Sequence, residues 1–211
     1  MIGTQAPPRS AVANLVAVAA LQVFVVEFLV AGSWHGHYGY AADALGELGV
    51  PFCGEHGDES CTATAYLMNI SFALLGAAFV FGAARQWSRT RAISWPACYA
   101  AAGVGMMLAA LAHVDRHWQA HTLGIATFCA CANFATLGTV TDDLRLGVTR
   151  RALAGLLSLL GLTAFLLSVS GWTLGLGHGG IERVACYAGI LGFVLTIAGP
   201  RGPHSTIGGA V

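Results

Sequence analysis

The sequence contains no lysine, and charged residues of all kinds make up only 9% of its 211 positions. A soluble domain carries about 25% charged residues, so this chain has too little charge to cover a water-facing surface. Apolar residues account for 56% of the chain, and the mean hydropathy is +0.68. The formal net charge is zero, which argues against a nucleic-acid partner. Composition alone therefore indicates an integral membrane protein.

Several signatures of membrane and secreted enzymes are also missing. The chain has no His-Glu-x-x-His, no Gly-x-Ser-x-Gly and no Cys-x-x-Cys-His sequence. A cleavable signal is not expected either, because the first apolar run has the full length of a membrane span. These absences favour a binding or accessory role over catalysis, although they leave membrane enzymes of other kinds open.

Six long apolar runs predict an all-α fold, a polytopic six-helix transmembrane bundle. A helix of about 20 residues crosses the roughly 30 Å of bilayer hydrocarbon, and only the sixth run is markedly shorter. The bundle is expected to be a single domain over residues 11–199, with a loop at 33–61 and short tails at 1–10 and 200–211. The predicted spans are residues 11–32, 62–84, 93–113, 119–140, 152–174 and 184–198.

The positions of the arginines predict the orientation of the bundle. Six spans place both termini on one side, and basic residues accumulate on the cytoplasmic side of a membrane. Only Arg116 and Arg183 fall on the side opposite the termini. Both termini are therefore expected in the cytoplasm, in the plasma membrane, with loop 33–61 outside. The arginines that share the side of the termini are Arg9, Arg85, Arg89, Arg91, Arg145, Arg150, Arg151 and Arg201.

Two of the six cysteines, Cys53 and Cys61, lie in the long loop. Because that loop is predicted to face the oxidising side of the membrane, the two are expected to form a disulfide. Such a bridge would contribute about 2–3 kcal/mol on the chain-entropy model. The remaining cysteines fall within spans, where thiols usually behave as small apolar side chains.

Polar side chains within the spans gather in the half of the bundle that is nearest the long loop. An ionisable group at membrane depth is costly and usually has a function, so these residues predict an outward-facing polar cup. Glu27 is expected to have a buried partner, and Arg183 is the candidate. Glu182 is expected near the start of span six, where the helix dipole favours an acid. The predicted cup consists of Glu27, Asn69, His121, Glu182 and Arg183.

Three histidines, His113, His117 and His121, recur at a spacing of four. On one continuous helix they would share a face, an arrangement that suits zinc or copper. Two spans must fit between residues 93 and 140, however, so the helix is expected to break near 114–119, and the spacing then indicates only proximity. A metal site, a proton-relay histidine and a plain interfacial turn all remain open.

Four segments together resemble the bacterial and archaeal six-span family called domain of unknown function 998. Its Ser-Glu-Leu-Gly segment is similar to residues 40–49, with Gly46 in place of the serine. The other segments are residues 67–72, His121 with Gly124 and Asn133, and residues 179–183 with Tyr187. The resemblance implies a six-span fold and no assigned reaction. Residues 47–49 also resemble a loop of six-span eukaryotic proteins that remodel lipid anchors, which implies a connection with lipids.

The sequence thus favours a membrane protein whose cup binds a lipid, a small molecule or a partner protein, as an accessory protein or a subunit of a complex. The alternative is a lipid-active intramembrane enzyme, possibly metal-dependent. In that enzyme His121 would act as base or metal ligand, with Glu27 or Glu182 as the second acid or base. A channel or transporter is least favoured, because its ionisable residues would extend through the full depth of the bundle.

Overall fold

The computed structural model describes residues 9–51, 53, 61–87, 92–143 and 145–198. Within these ranges the chain is helical, apart from connections and one isolated bridge between Trp34 and Thr62. The tails at 1–8 and 199–211, the latter with Arg201, lie outside the described residues. Arg89 and Arg91, in the connection between α2 and α3, also lie outside them. The elements are α1 Arg9–Ala31, a 3-10 helix Leu45–Gly49, α2 Ala65–Trp87, α3 Ser94–Leu111, α4 Val114–Asp142, α5 Val148–Val169 and α6 Gly177–Ile197.

All six α-helices of the described chain are long and apolar enough to cross a membrane, which confirms the predicted helical architecture. Their outer faces are apolar as well as their inner ones. On α5, for example, Leu156 and Leu166 are more than half exposed. A helix that is apolar on every side is typical of a membrane span. The architecture is that of a multi-pass membrane protein.

Consecutive helices pack against each other, and α6 also contacts α1 and α4. Glycines allow the closest approaches. A Cβ added at Gly76 on α2 would lie 2.5 Å from the carbonyl oxygen of Gly103 on α3, and Gly105 and Gly124 join α3 to α4 in the same way. Small residues let helix backbones approach closely, which is how helices associate in a lipid environment. The bundle is therefore held by backbone proximity as much as by large side chains.

The sixth helix begins at Gly177, well before the predicted start at residue 184. Its early glycines resemble a turn, but Gly179 is helical and lies directly against the backbone of Asp43, where no Cβ would fit. Tertiary packing here outweighs the low helix propensity of glycine. Glu182 and Arg183 consequently lie inside α6, so the expectation of an acid at the opening of the helix is wrong.

The fourth and fifth helices also differ from the predicted spans. Helix α4 begins at Val114 instead of residue 119, and a kink at His117 (φ −134°, ψ 49°) interrupts its first turns. Helix α5 ends at Val169 instead of residue 174. We call the end of the bundle that carries the connections α1–α2, α3–α4 and α5–α6 the loop end. The opposite end, which carries Arg85, Arg145, Arg150 and Arg151, is the basic end.

Candidate functional site

Residues 38–50 of the long loop fold back onto the loop end of the bundle. The 3-10 helix Leu45–Gly49 contacts α1, α2, α4 and α6, and four of its five residues are buried. Leu48 is completely inaccessible to solvent. Cys53 and Cys61 lie at disulfide distance, with Cα atoms 5.0 Å apart, which confirms the predicted bridge. Residues 38–50, which we call the plug, therefore form part of the folded core.

A buried ion pair joins α1 to α6 beneath the plug. Arg183 Nε donates to Glu27 Oε1 at 2.8 Å, and the two side chains are 6% and 3% exposed. The hydroxyl of Tyr187 donates to the second carboxylate oxygen of Glu27. The buried partner expected for Glu27 is thus confirmed as Arg183. Removing two charges from water is tolerated only when both are paired and hydrogen-bonded, as they are here.

The same arginine also holds the plug. Arg183 Nη1 donates to the carbonyl oxygens of Tyr40 at 2.9 Å, Asp43 at 2.7 Å and Gly179 at 3.1 Å. Its Nη2 donates to the hydroxyl of Tyr38. The guanidinium carbon lies 5.4 Å and 5.1 Å from the ring centroids of Tyr38 and Tyr40, within range of a cation–π interaction. Arg183 on α6 therefore connects the plug to Glu27 on α1.

Glu182 and Asn69 hold the plug from two other helices. Glu182 Oε1 accepts the backbone N–H of Leu45 at 3.2 Å. Asn69 Nδ2 donates to the carbonyl oxygen of Gly49 at 3.0 Å. A Cβ at Gly49 would lie 2.5 Å from Asn69 Oδ1, so only glycine fits at that position without a shift. Helices α2 and α6 each contribute a side chain that forms a hydrogen bond with the backbone of the 3-10 helix.

His121 completes the contact from α4. Its Nδ1 lies 3.0 Å and 2.9 Å from the carbonyl oxygens of Ala109 and Ala112, so this nitrogen carries the proton and donates to the end of α3. The imidazole thereby satisfies carbonyls that a helix end leaves unpaired. Nε2 faces Gly46 so closely that an added Cβ would overlap it. The close approach explains why a residue without a side chain occupies position 46.

The structure brings all five predicted cup residues together. In this structure they bind the chain's own plug: four contact it directly, and Glu27 does so through Arg183. Sequence reasoning missed Tyr38 and left Tyr187 without a role. Tyr187 could have been recognised, because it lies four residues after Arg183 and therefore on the same helix face. Tyr38 lies in an irregular segment, where no periodicity indicates a direction.

The three histidines do not form a metal site. Among the residues that the structure describes, no group of three or more His, Cys, Asp or Glu side chains could hold a metal ion. His121 is buried against α3, His113 Nε2 lies 3.3 Å from Asn69 Nδ2, and His117 is exposed at the kink. The kink at His117 and the bonds from His121 to the end of α3 give the three imidazoles different surroundings, so the zinc or copper alternative for His113, His117 and His121 finds no support among the described residues.

Titratable groups of the plug, which lies outside the six long helices, are shifted toward their neutral forms. Burial raises the pKa of Glu47, and the nearby charge of Asp43 raises it further. Burial also raises the pKa of Tyr38, which therefore stays protonated and donates to the carbonyl oxygen of Ala44 at 3.2 Å. The plug is partly excluded from water, and this position favours the neutral forms of its side chains.

Comparison with known proteins gives no match: no family model, no curated protein and no solved structure is similar to this chain. The resemblance to the domain of unknown function 998 family remains a prediction. The function must accordingly be argued from the geometry of the loop end.

Proposed function

We propose that this chain is a multi-pass protein of the plasma membrane with both termini in the cytoplasm. In this proposal it binds a lipid, a small molecule or a partner protein at its loop end, as an accessory protein or subunit. The orientation is supported by the arginines of the basic end and by the disulfide of the loop, which needs an oxidising compartment.

The observation that carries this proposal is the commitment of the cup residues to one loop. A general acid or base must come within hydrogen-bond reach of its substrate. Both oxygens of Glu27 are occupied, Glu182 accepts a backbone N–H of the plug, and Nδ1 of His121 is bound to α3. This arrangement fixes the shape of the loop end instead of offering reactive groups. A fixed shape is what a binding surface requires, because preorganisation lowers the entropic cost of association.

The surface that the plug presents is rich in groups with both apolar and polar character. Tyr40 is 44% exposed and packs edge-on against Tyr38, with ring centroids 5.2 Å apart. His35, His37 and His178 are also exposed at the loop end. Aromatic side chains are enriched both at the headgroup level of membranes and in the anchoring positions of protein interfaces. The loop end therefore has the chemistry of a binding surface for a lipid headgroup or a protein.

Site-specific photocrosslinking in intact cells tests this proposal. A photoreactive amino acid at Tyr40 should give a discrete adduct whose size distinguishes a lipid, a small molecule and a protein. The matched control is Val148, which is 83% exposed at the basic end. An adduct from position 40 that is absent from position 148 is the expected result. Identical patterns from the two positions, or no adduct from position 40, would refute a specific surface at the loop end.

One observation favours the enzymatic alternative. Among the described residues, Nε2 of His121 has no hydrogen-bond partner, so it would become a free base if the plug lifted from Gly46. His121→Asn tests this alternative, because an asparagine amide can still donate to the end of α3 but offers no basic nitrogen. A change in cellular lipid composition that accompanies the wild type and disappears in His121→Asn, at equal protein level, would favour catalysis. Equal lipid profiles would favour binding.

A further inference from the structure

Two buried cysteines lie between α4 and α6, further from the loop end than the cup residues Glu27, Asn69, His121, Glu182 and Arg183, which together with the plug we call the polar site. Cys129 Sγ and Cys186 Sγ are 2.9 Å apart, and the residues are 2% and 0% exposed. A disulfide bond has an S–S length of about 2.0 Å, so the two sulfurs need to approach by only about 0.9 Å to bond. This pair is separate from the Cys53–Cys61 bridge of the loop and is not used by the polar site.

A second feature holds the two backbones together at the same level. The amide nitrogen of Asn133 donates to the carbonyl oxygen of Cys129 at 2.7 Å and to that of Ala185, the residue before Cys186, at 2.9 Å. Gly189 adds a close contact one turn further along, because a Cβ placed there would lie 3.0 Å from Ala132. One buried amide therefore clamps the segments that carry both thiols. These backbone bonds hold the two cysteine-bearing segments next to each other.

We propose that Cys129 and Cys186 form a redox-active pair that closes to a disulfide inside the bundle. Two S–H bonds break and one S–S bond forms. The two electrons and two protons pass to a lipid-soluble quinone, which is reduced to the quinol. The residues are 2% and 0% exposed, so the exchange requires a local opening of the helices. A quinone suits this position because it dissolves in the bilayer and reaches the bundle at this depth, where water-soluble oxidants do not. The product is a covalent link between α4 and α6.

The disulfide between α4 and α6 would restrain the polar site, because Cys186 lies next to residues that belong to it. Cys186 lies on α6 between Arg183, which binds Glu27 and the plug, and Tyr187, which binds the other oxygen of Glu27. The cysteines are 57 residues apart in sequence, and a disulfide that closes a long loop stabilises a fold more than one that closes a short loop. Oxidation should therefore raise the melting temperature by several degrees. It should also restrict any movement of α6 relative to α4.

Counting reactive thiols tests the pair. The purified full-length protein in lipid nanodiscs is treated with a fully substituted benzoquinone, then denatured without reductant and alkylated. Six cysteines less the two of the loop bridge leave four to label before treatment. We expect two labels after treatment, and peptide mapping should recover Cys129 linked to Cys186. Four labels after treatment, or a link between Cys98 and Cys131 instead, would overturn the proposal.

Two single substitutions provide matched controls. Cys131→Ser lies on the same helix two residues from the proposed pair, and it should take three labels before treatment and one after it. Cys129→Ser removes one member of the pair, and it should take three labels both before and after treatment. The label count of the wild type is sufficient to show whether the disulfide forms, so a variant that fails to fold does not affect that result. A thermal shift after quinone treatment in Cys129→Ser as large as that in the wild type would contradict the assigned effect on stability.

Discussion

Arginine side chains bind backbone carbonyls at both ends of the bundle, but they differ in burial and in having a counter-charge. At the loop end, Arg183 is buried with Glu27 and donates to the carbonyls of the plug. At the basic end, Arg151 donates to the carbonyl oxygen of Val140 at 3.0 Å, and Arg150 donates to carbonyls at the C-terminus of α6. Both basic-end arginines are only partly buried. At the loop end the charge of Arg183 is therefore compensated by a buried carboxylate. At the basic end the charges of Arg150 and Arg151 remain partly solvated.

This difference predicts unequal sensitivity to substitution. A buried charge that loses its partner leaves the other charge without compensation in a medium of low polarity. Arg150 and Arg151 lie in the first turn of α5, but their side chains reach carbonyls near the C-termini of α6 and α4. A cation at such a C-terminus gains only modestly from the helix dipole, and a partly exposed arginine can exchange a lost bond for water. The loop end should therefore be the part of the molecule where single changes cost most.

The largest effect is expected for Arg183→Met. The substitution leaves the carboxylate of Glu27 buried without a counter-charge and removes the bonds that hold the plug. Breaking a buried ion pair by removing one partner costs about 3–5 kcal/mol. Thermal and denaturant unfolding of the purified protein in bicelles should show a loss of stability of this order.

Arg151→Met at the basic end is the matched control and should cost about 1 kcal/mol or less. The double variant Glu27→Gln/Arg183→Met should be less destabilised than the sum of the two single variants, because no unpaired charge remains. Equal losses for Arg183→Met and Arg151→Met would show that burial of the pair contributes nothing, and the contrast between the ends would fail.

The next largest effect is expected for Gly46→Ala. An added methyl group would overlap Nε2 of His121, so either the plug or the imidazole must move. Overpacking of this kind typically costs about 1–3 kcal/mol. Hydrogen exchange followed by mass spectrometry should show faster exchange of the plug, residues 38–50, with little change at the basic end.

Gly39→Ala tests whether the effect is specific to the contact with His121. Gly39 belongs to the same plug, but an added Cβ there would meet its neighbours only at 3.7 Å and 3.8 Å, which is ordinary contact. This variant should exchange like the wild type. If Gly39→Ala loosened the plug as much as Gly46→Ala does, loss of backbone freedom, and not the overlap with His121, would explain the result.

The sequence predicted the six helices and the five polar residues because both depend on residue type and depth. Hydropathy identifies spans, and an ionisable residue such as Glu27 within a span implies a buried partner. The pairing with Arg183 followed from their shared depth. What could not be predicted is that the partner of these side chains is largely backbone. Carbonyls at positions 40, 43 and 49 have no signature in the sequence.

Two features of the loop end could not be read from the sequence, for the same reason. The glycines at 177, 179 and 180 suggest a turn and a late start for α6, whereas Gly179 is helical and accommodates the backbone of Asp43. The spacing of the three histidines left a metal site, a proton relay and an interfacial turn open, and it is the kink at His117 that gives the rings different partners. Both depend on how the plug and the connection between α3 and α4 pack, which is tertiary information.

A smaller effect is expected for Asn69→Leu, which removes both the bond to the carbonyl oxygen of Gly49 and the 3.3 Å contact with His113 Nε2. Hydrogen bonds between helices in a membrane average about 0.6 kcal/mol, so the loss should be about 1 kcal/mol. Gln119→Leu, an exposed position at the loop end, controls for added apolar surface. Exchange should accelerate at residues 45–50 in Asn69→Leu alone. If both variants behaved alike, the bond to Gly49 would not hold the plug.

The smallest effect concerns pH. The pKa of Glu47 is raised in the folded protein by burial and by the charge of Asp43. Because the folded state binds the proton more tightly than the unfolded state, this contribution to stability is complete below the ordinary value of 4.5. It is lost as the pH rises through the raised pKa. Melting temperatures across this range should therefore fall slightly in the wild type and change less in Glu47→Gln, which resembles the protonated acid.

Asp115→Asn separates this effect from the general loss of one carboxylate. Asp115 lies at the same end of the bundle with its side chain 21% exposed, and its only ion pair among the described residues is a 3.9 Å contact with the exposed Arg116. This variant should keep the pH dependence of the wild type. A wild-type slope in Glu47→Gln would instead show that the plug leaves Glu47 in water, and the loop end would then differ from the basic end only at its buried ion pair.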